Sequence, residues 1–512
     1  MSDTIEYELQ RVRELLPTDP NAAREIARGL VSRFANEDPR CHLALVAALQ
    51  RLGRTKEMSA ALEAAAAAFP NHPSILYNYG TALFDDEKWE QAVTVLAHAR
   101  DIAPDDRQIL LNLAYARRRS KDYTGAEEVY RGILAAFPDD ADVLVSLAVV
   151  KLYQGDPGEA VKLCDQVLAQ NPTHLGGLLN RALVLSVTNR QDAARRMLPS
   201  LVDHPNLDPQ TSLHVGMLAL RLGMEEAGWR LYERRPGRKT TAQPPWRGED
   251  LSGKTLLVLS EQGYGDHFQV FRYKRKLKEL VGDTGEVIWQ CGAKLQSLFG
   301  MFAGSGSFLP TGAELPVHDF HISLMSLPAV MRNLGADEPV GRYLDLPPTG
   351  SAFWADKLVP GVRLHVGINW YGNPNHDGDR FRSIDLEKIN PLFDLSDVAF
   401  YSLQREPAES RLIEFDAALH DNGGAFVGVA GLIDSLDMIV TVDTVTAHLA
   451  GALNKPCCLL LSTYHDFRWG TETDTTPLYP SLRLFRQKSF NDWSGPVSRV
   501  RDLLYTELAR HR

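Results

Sequence analysis

The chain lacks the basic excess of a nucleic-acid binder: 55 Lys and Arg stand against 65 Asp and Glu, a formal net charge of −10. Neutralising a phosphate backbone needs a positive face, so this balance argues against a dedicated nucleic-acid partner. Cysteine is sparse as well. Cys41, Cys164, Cys291, Cys457 and Cys458 show no CxxC and no Cys/His ligand spacing. Neither a disulfide framework nor a zinc site is expected, and the thiols read as buried and reduced. No apolar run approaches the roughly 20 residues that span a bilayer. The N-terminus, Met1-Ser2-Asp3-Thr4-Ile5-Glu6-Tyr7-Glu8, has neither the positive nor the apolar segment of a signal peptide. These absences predict a cytoplasmic protein without a membrane span. With 44% hydrophobic and 23% charged residues, the 512-residue chain has the composition of a globular protein of two or three domains.

What is present is periodic. Pro70, Pro104, Pro138 and Pro172 share one spacing of 34 residues; Ala92, Ala126, Ala160 and Ala194 share it, as do Gly80, Ala114, Ala148, Ala182 and Gly216. Small residues midway along two helices let them approach closely, and proline ends the second helix because it lacks an N–H and disfavours helix in the residue before it. Leu76, Tyr79, Leu83, Trp89 and Leu96 supply the large side chains between helices at i, i+3, i+4 spacing. This is the tetratricopeptide (TPR) pattern, whose helix pairs must stack to cover their apolar faces. Full repeats are predicted at 39–72, 73–106, 107–140, 141–174 and 175–208. A degenerate cap covers 1–38, with its helical pair at about 5–38. A partial unit at 209–235 carries Gly216, Gly228, Trp229 and Tyr232, so the solenoid as a whole occupies 39–235. Its concave groove suits an extended peptide or partner surface; dimerisation is the other reading.

A Pro/Gly/Arg-rich linker, 236–253, precedes a different pattern, in which short apolar or β-branched runs alternate with helical segments. Strands are predicted at Thr255–Ser260, Glu286–Cys291, Arg363–Trp370, Ala399–Gln404, Met438–Asp443 and Cys457–Ser462. The Pro/Gly stretch 335–361 reads as a hinge between an N-terminal α/β lobe, 254–345, and a C-terminal lobe, 362–512. A crevice at strand C-termini between two such lobes is where a ligand is expected.

Four segments carry candidate chemistry. Glu261-Gln262-Gly263-Tyr264-Gly265-Asp266-His267 follows the first strand; Gly263 and Gly265 permit a tight strand-to-helix turn, and Asp266 falls in the first helical turn. Phe268 replaces the third glycine of a dinucleotide fingerprint. Asp266 therefore reads either as a reactive carboxylate or as one that complements the helix dipole. In the second, a β-branched strand ends in Asp443 and feeds a helix start with Thr444, Val445, Thr446 and His448, a phosphate cradle or a capped structural helix. The third, Trp370–Ser383, brings Tyr371, Asn373, Arg380 and Arg382 to a strand end, where guanidinium forks suit phosphate or carboxylate. Its Asp377-Gly378-Asp379 spells a DxD triplet of the kind that holds a divalent cation, although the triplet is common in loops. The fourth, Ser462–Gly470, holds His465, Asp466, Arg468 and Trp469; the indole suits stacking on a base or sugar, or packing a lid on itself.

In this order, the motifs resemble the bacterial heptosyltransferase-like glycosyltransferase superfamily, and more closely its TPR-fused branch. Gly228-Trp229…Tyr232-Glu233-Arg234-Arg235, Trp246-Arg247-Gly248 and Leu256…Asp266 carry that resemblance, as does the tail Tyr479–Gln487…Asp492-Trp493. The resemblance implies a two-lobed GT-B-type fold, a nucleotide-sugar donor held by the C-terminal lobe, and no required metal or cofactor. It also implies Asp266 as general base and Asp443, Thr444, Val445, Thr446 and His448 as donor-phosphate contacts. The Gly-Asp-His-Phe-Gln continuation and the short N-terminal lobe depart from the family, which puts acceptor recognition and the base in question.

The expected reaction is sugar transfer from a nucleotide donor to a Ser or Thr hydroxyl of a protein brought by the TPR groove. Arg380 or Arg382 would stabilise the departing phosphate, and Gln404 and Trp469 would contact the nucleotide or sugar. Some flagellin-modifying enzymes resemble this layout, which suggests a CMP-linked sialic-acid-like donor. The rival expectations are a non-catalytic scaffold with a decayed transferase domain, or a lipid-sugar transferase.

Overall fold

The computed structural model describes residues 2–301, 306–336, 341–346, 348–376, 378–404, 411–414 and 426–510. The chain divides into two compact units, Met1–Val184 and Leu185–Arg512.

The first unit is a run of antiparallel helix pairs. Ser2–Leu15 and Pro20–Phe34 come first, followed by Pro39–Arg51 with Thr55–Ala68, Pro73–Asp85 with Trp89–Ile102, Arg107–Arg119 with Tyr123–Ala136, and Ala141–Tyr153 with Pro157–Gln170. Many starts are fixed by an aspartate that accepts a first-turn N–H, among them Asp38, Asp106, Asp140 and Asp156. The ends come one residue before Pro70, Pro104, Pro138 and Pro172, at Phe69, Ala103, Phe137 and Asn171, all out of helical φ/ψ. Ala92, Ala126 and Ala160 are fully buried between helices. At Gly80 a Cβ would lie 2.5 Å from Leu96 Cγ, so the pair closes only over a missing side chain.

The second unit opens with helices Gln191–Val202, Pro209–Arg221 and Glu225–Tyr232. The last two form a tight hairpin: a Cβ on Gly216 would sit 2.9 Å from the Tyr232 backbone nitrogen. Leu220 and Tyr232 of this hairpin join the same apolar core as Phe268, Ile439 and Trp469 of the α/β region.

Among the described residues that region has two sheets, and the strand pairs within each are parallel. β1 (Thr255–Leu259), β2 (Glu286–Cys291), β3 (Ser307–Pro310) and β4 (Phe320–Ser323) run in the order β3-β2-β1-β4. β5 (Leu364–Asn369), β6 (Val398–Ser402), β7 (Met438–Val442), β8 (Cys457–Leu461) and β9 (Leu482–Arg486) run in the order β6-β5-β7-β8-β9. Strands buried on both faces explain the unbroken apolar runs. In β7 and β8, Ile439, Leu459 and Leu461 face one core cluster while Val440, Val442 and Leu460 face another. The six expected strands are present, most of them a residue or two shorter; β3, β4 and β9 were not anticipated.

Two segments expected to be loose are anchored. Within 236–253, Trp246 and Leu251 are buried, and the main chain pairs with the second residue of β4 through Trp246 N to His321 O (2.8 Å) and His321 N to Pro244 O (3.1 Å). Within the stretch expected as a hinge, the buried Tyr343 and Leu344 both donate their N–H groups to Ala452 O, at 3.0 and 3.2 Å, and Tyr343 Oη donates to Phe268 O at 2.7 Å. Among the described residues, no helix is long and apolar enough to cross a membrane.

Candidate functional site

A parallel sheet offers a crevice beyond its strand C-termini where the strand order reverses direction. In the first sheet this point lies between β1 and β4, and in the second between β5 and β7. Three of the four segments singled out from the sequence leave these points, after β1, β5 and β7; the fourth follows β8.

After β1, Glu261 is buried and locked. Its carboxylate accepts from Arg235 Nε (3.1 Å), from Arg235 Nη2 and from the Met325 backbone N–H (2.7 Å), which joins the β1 and β4 ends to the helical hairpin. Gln262 takes a positive φ of 62° and donates to the Tyr232 hydroxyl at 2.9 Å. The helix Tyr264–Phe271 then begins, with Asp266 Oδ2 accepting the Gly263 N–H at 2.8 Å. Half of the two-way reading of Asp266 is thereby answered: one of its oxygens caps its own helix.

At the β5/β7 point, Asn369 Oδ1 accepts from the hydroxyls of Thr441 (3.3 Å) and Thr444 (3.2 Å). Thr444 is the extended N-cap of helix Val445–Ala452; its carbonyl accepts the Ala447 N–H at 3.1 Å, and its side chain makes no cap bond to the Val445 or Thr446 amides. Arg382 donates Nη1 to the Asp443 carbonyl at 2.9 Å and pairs through Nε with Asp379 at 3.0 Å. Asp379 also accepts from Ser383 Oγ at 2.9 Å, so this half of the DxD triplet is already engaged; Asp377 lies outside the described residues. Gln404 Oε1 accepts the Trp370 N–H at 2.8 Å and ties β6 to β5. Tyr371 rests edge-on against Trp370, Asn373 accepts from Asn375 N within its own turn at 3.0 Å, and Arg380 lies over the Phe381 ring.

The two helix starts meet directly. A Cβ on Gly265 would lie 2.7 Å from His448 Cδ2, so the missing side chain lets helix Tyr264–Phe271 pack against helix Val445–Ala452. Asp266 is joined to Asp443 through the loop after β8: Arg468 pairs through Nη2 with Asp266 and through Nη1 with Asp466 at 2.8 Å, and the Asp466 N–H donates to Asp443 Oδ2 at 3.3 Å. The resulting chain, Asp266–Arg468–Asp466–Asp443, is the electrostatic centre of the region. Arg468, Asp466 and Asn369 were not among the residues assigned a role from sequence. Asp466 and Arg468 were named in the segment after the β8 run without a role of their own, and Asn369 was only a polar residue at a strand end.

Burial sets the charge states. The buried His448 imidazole is brought down to about 4 by burial, with the Arg468 charge adding to the effect, so it is neutral at pH 7. Its Nδ1 lies 2.9 Å from Tyr479 Oη and its ring tilts against Trp469, so it fills the helix junction rather than facing an open phosphate site. Burial and the neighbouring Asp466 carboxylate raise Asp443 above the usual carboxylate range. Burial opposes ionisation of Asp466 too, yet the Arg468 guanidinium holds it below that range. Under the same burial the two adjacent carboxyls are thus pushed in opposite directions, Asp443 beside a like charge and Asp466 beside a guanidinium. Trp469 is buried against His448 and Tyr479, the packed-lid alternative for its loop. Val445 packs on the core and Thr446 is buried.

Residues 39–82 and 80–141 match family models described as tetratricopeptide repeat. The chain is a TPR-containing protein. It is 25% identical over 520 residues to Protein FlbA of Caulobacter vibrioides (strain ATCC 19089 / CIP 103742 / CB 15), covering 92% of this chain and 85% of that protein. Similar solved structures include a tetratricopeptide repeat protein from Parabacteroides merdae ATCC 43184, 13% identical, covering 45% of this chain and 91% of that one with a TM-score of 0.41. MamA from Desulfovibrio magneticus RS-1 is 17% identical, covering 33% of this chain and 94% of that one with a TM-score of 0.31.

Proposed function

We propose that this protein is a GT-B-type glycosyltransferase of the cytoplasm that moves a sugar from a nucleotide-sugar to a Ser or Thr hydroxyl of a protein recruited by the TPR array. The observation that carries the reading is the meeting of two strand-end turns from different parallel sheets, with Asp266 on one and the Asp443–Thr444 helix start on the other, joined by Arg468. Ligands of parallel α/β sheets bind beyond the strand C-termini, so two such ends side by side suit a donor on one and an acceptor on the other. In the reaction, the acceptor oxygen bonds to the anomeric carbon, the bond from that carbon to the phosphate oxygen breaks, and the nucleotide leaves with the electron pair. Asp266 takes the hydroxyl proton, while the amides of Val445 and Thr446 and the Arg382 guanidinium stabilise the leaving phosphate. Flagellin is the proposed acceptor and a CMP-linked nonulosonic acid the proposed donor.

The engagement of both Asp266 oxygens also suits a scaffold that has lost its chemistry. Donor binding separates the two readings. A thermal-shift panel of CMP-, UDP-, GDP- and ADP-sugars on the full chain should show stabilisation by one nucleotide class, and intact-mass analysis of co-expressed flagellin should show a sugar adduct. No stabilisation by any donor would favour the scaffold, and an adduct on glycolipid instead of protein would favour the lipid-sugar reading.

A further inference from the structure

Between helix Gln191–Val202 and the loop after β8 lies a cavity of about 540 Å³, lined by Arg190, Arg195 and Arg196 on the helical side and by Thr471 and Glu472 of the loop. Both walls are fixed. Arg195 Nε donates to Leu222 O at 3.0 Å, Nη1 donates to Asp192 at 3.0 Å, and Nη2 pairs with Glu472. Asn189, which also lines the cavity, donates through Nδ2 to the Lys488 carbonyl, two residues past β9. On the loop side Arg486 donates to Gly470 O and Thr473 O, both at 3.0 Å, and so grips the main chain on either side of Thr471 and Glu472. The charges of the lining do not balance. Three guanidiniums meet two carboxylates, Asp192 and Glu472, and Arg195 takes both. Asp192 precedes Arg196 by four residues, the spacing of a helical ion pair, yet it pairs with Arg195. Among the described residues, the guanidiniums of Arg190 and Arg196 have neither an ion-pair nor a hydrogen-bond partner. Ala193 is the one apolar residue in the lining, so there is no ring or aliphatic wall on which a base or an acyl chain could rest.

We propose that this cavity binds a small polar phosphate ester, with its phosphate on Arg190 and Arg196 and its hydroxyls on Asn189, Gln191 and Thr471. A phosphate monoester carries about −1.5 to −2 charges near neutral pH, and its paired oxygens match the guanidinium fork. Amide and hydroxyl side chains both donate and accept, which is what sugar-like hydroxyls require. The volume falls within the roughly 300–1,000 Å³ usual for small-molecule sites and leaves space beyond the phosphate itself. Glu472 is the internal competitor: its carboxylate lowers the positive potential that the phosphate meets. The proposal is independent of the transferase reading, because none of these residues stands at the strand ends that carry Asp266 and Asp443.

The test is calorimetric titration of the full chain with glucose 6-phosphate, glucose, inorganic phosphate and a hexaglutamate peptide. It compares wild type with the double variant Arg190→Gln/Arg196→Gln and with Glu472→Gln, all changes of side chains outside the apolar core. Glucose 6-phosphate should bind wild type, with affinity about tenfold weaker in the double variant and about threefold tighter in Glu472→Gln. Glucose should not bind, and inorganic phosphate should bind more weakly than the ester. Equal binding of the ester by wild type and double variant, or binding of glucose as tight as that of its phosphate, overturns the arginine site. Inorganic phosphate bound as tightly as the ester means that the arginines take the ion alone, which overturns the ester. Hexaglutamate bound by wild type and lost in the double variant, with no binding of the ester, overturns the small molecule in favour of an acidic protein segment. No binding of any of the four overturns the proposal outright.

Discussion

Arg221, the last residue of helix Pro209–Arg221, buries its guanidinium against the main chain of the loop after β8 and donates to the carbonyl oxygens of Thr463 and His465. The same Nη1 lies 3.4 Å from His465 Nδ1, and Arg486 from the end of β9 approaches the other ring nitrogen at 3.0 Å. An imidazole between two buried guanidiniums cannot take up a third positive charge; burial, reinforced by both arginines, keeps the His465 pKa well below its ordinary value. The helical hairpin is thus fastened to the loop that carries Asp466, Arg468 and Trp469, and Trp229 and Tyr232 pack on Phe467 of that loop.

The hairpin should therefore behave as part of the α/β unit, although its sequence belongs to the repeat. A fragment of residues 185–512 is expected to be soluble and to unfold cooperatively, whereas one of residues 236–512 exposes the core surface that Leu220 and Tyr232 cover and should aggregate. Arg221→Met leaves two buried carbonyls without their donors and should cost about 3 kcal/mol in denaturant unfolding. Equal behaviour of the two fragments would show that the hairpin is only a neighbour of the site.

Gly265 and Gly263 make a paired test of the helix contact. A Cβ at 265 meets the His448 ring at 2.7 Å, and that ring is held in turn by Tyr479. At 263 the nearest atom within reach is Asp266 Oδ2, at 3.4 Å, and φ is −89°, open to any residue. Gly265→Ala should lose about 1–3 kcal/mol of stability, the usual range for overpacking, and should lose transfer activity with it. Gly263→Ala should come close to wild type in thermal denaturation. A tolerated alanine at 265 would mean the two helices are not in contact.

The repeat was legible because its spacing is set by close approach: small residues and prolines recur where helices cross and end, and no long-range information is needed to see them. β1, β2 and β5 to β8 were legible as apolar runs buried on both faces. β3 and β4 span only four residues each, Ser-Phe-Leu-Pro and Phe-His-Ile-Ser, too short for a period. β9, Leu-Arg-Leu-Phe-Arg, alternates at the sheet edge with arginines that read as loop or helix. Asp266 and Asp443 stood out because both follow a strand and open a helix. Arg468 was visible as a member of the segment after the β8 run, but its pairing with Asp266, 202 residues away, has no local sign in the sequence.

The acid limb of stability should report the buried histidines. In the folded protein His448 titrates at about 4, against about 6.5 for an unperturbed histidine. Between those values the unfolded chain binds a proton that the folded chain refuses, so the contribution is complete above about pH 6.5 and is lost as pH falls toward 4. Arg468, Asp266, Asp466 and Tyr479 surround the ring; the arginine opposes its protonation and the two carboxylates favour it less strongly than burial disfavours it. His448→Gln should remove on the order of 2 kcal/mol of the loss between pH 7 and pH 5. His267 is lowered by burial as well and adds to the same limb. Parallel stability curves for wild type and variant across that interval would show that His448 is solvated and protonates freely.

Glu261 and Arg235 supply a final prediction, on the stability of the turn that carries Asp266. Both side chains are buried, and the carboxylate serves Arg235 and the Met325 amide together. Removing one member of such a pair strands the other charge away from water, which typically costs about 3–5 kcal/mol. Glu233, which also pairs with Arg235 at 3.1 Å, softens that penalty toward the lower figure. Glu261→Gln should thus lose about 3 kcal/mol of stability, while the double variant Arg235→Met/Glu261→Leu should recover only part of it, because two apolar groups need no partners but the Met325 amide loses its acceptor. Activity should follow a different course. The pair fixes the β1 end against the β4 end and the hairpin, so the double variant should remain folded yet transfer poorly, with Asp266 no longer held opposite Arg468. A double variant that is stable and fully active would show that the ion pair contributes nothing to placing the base.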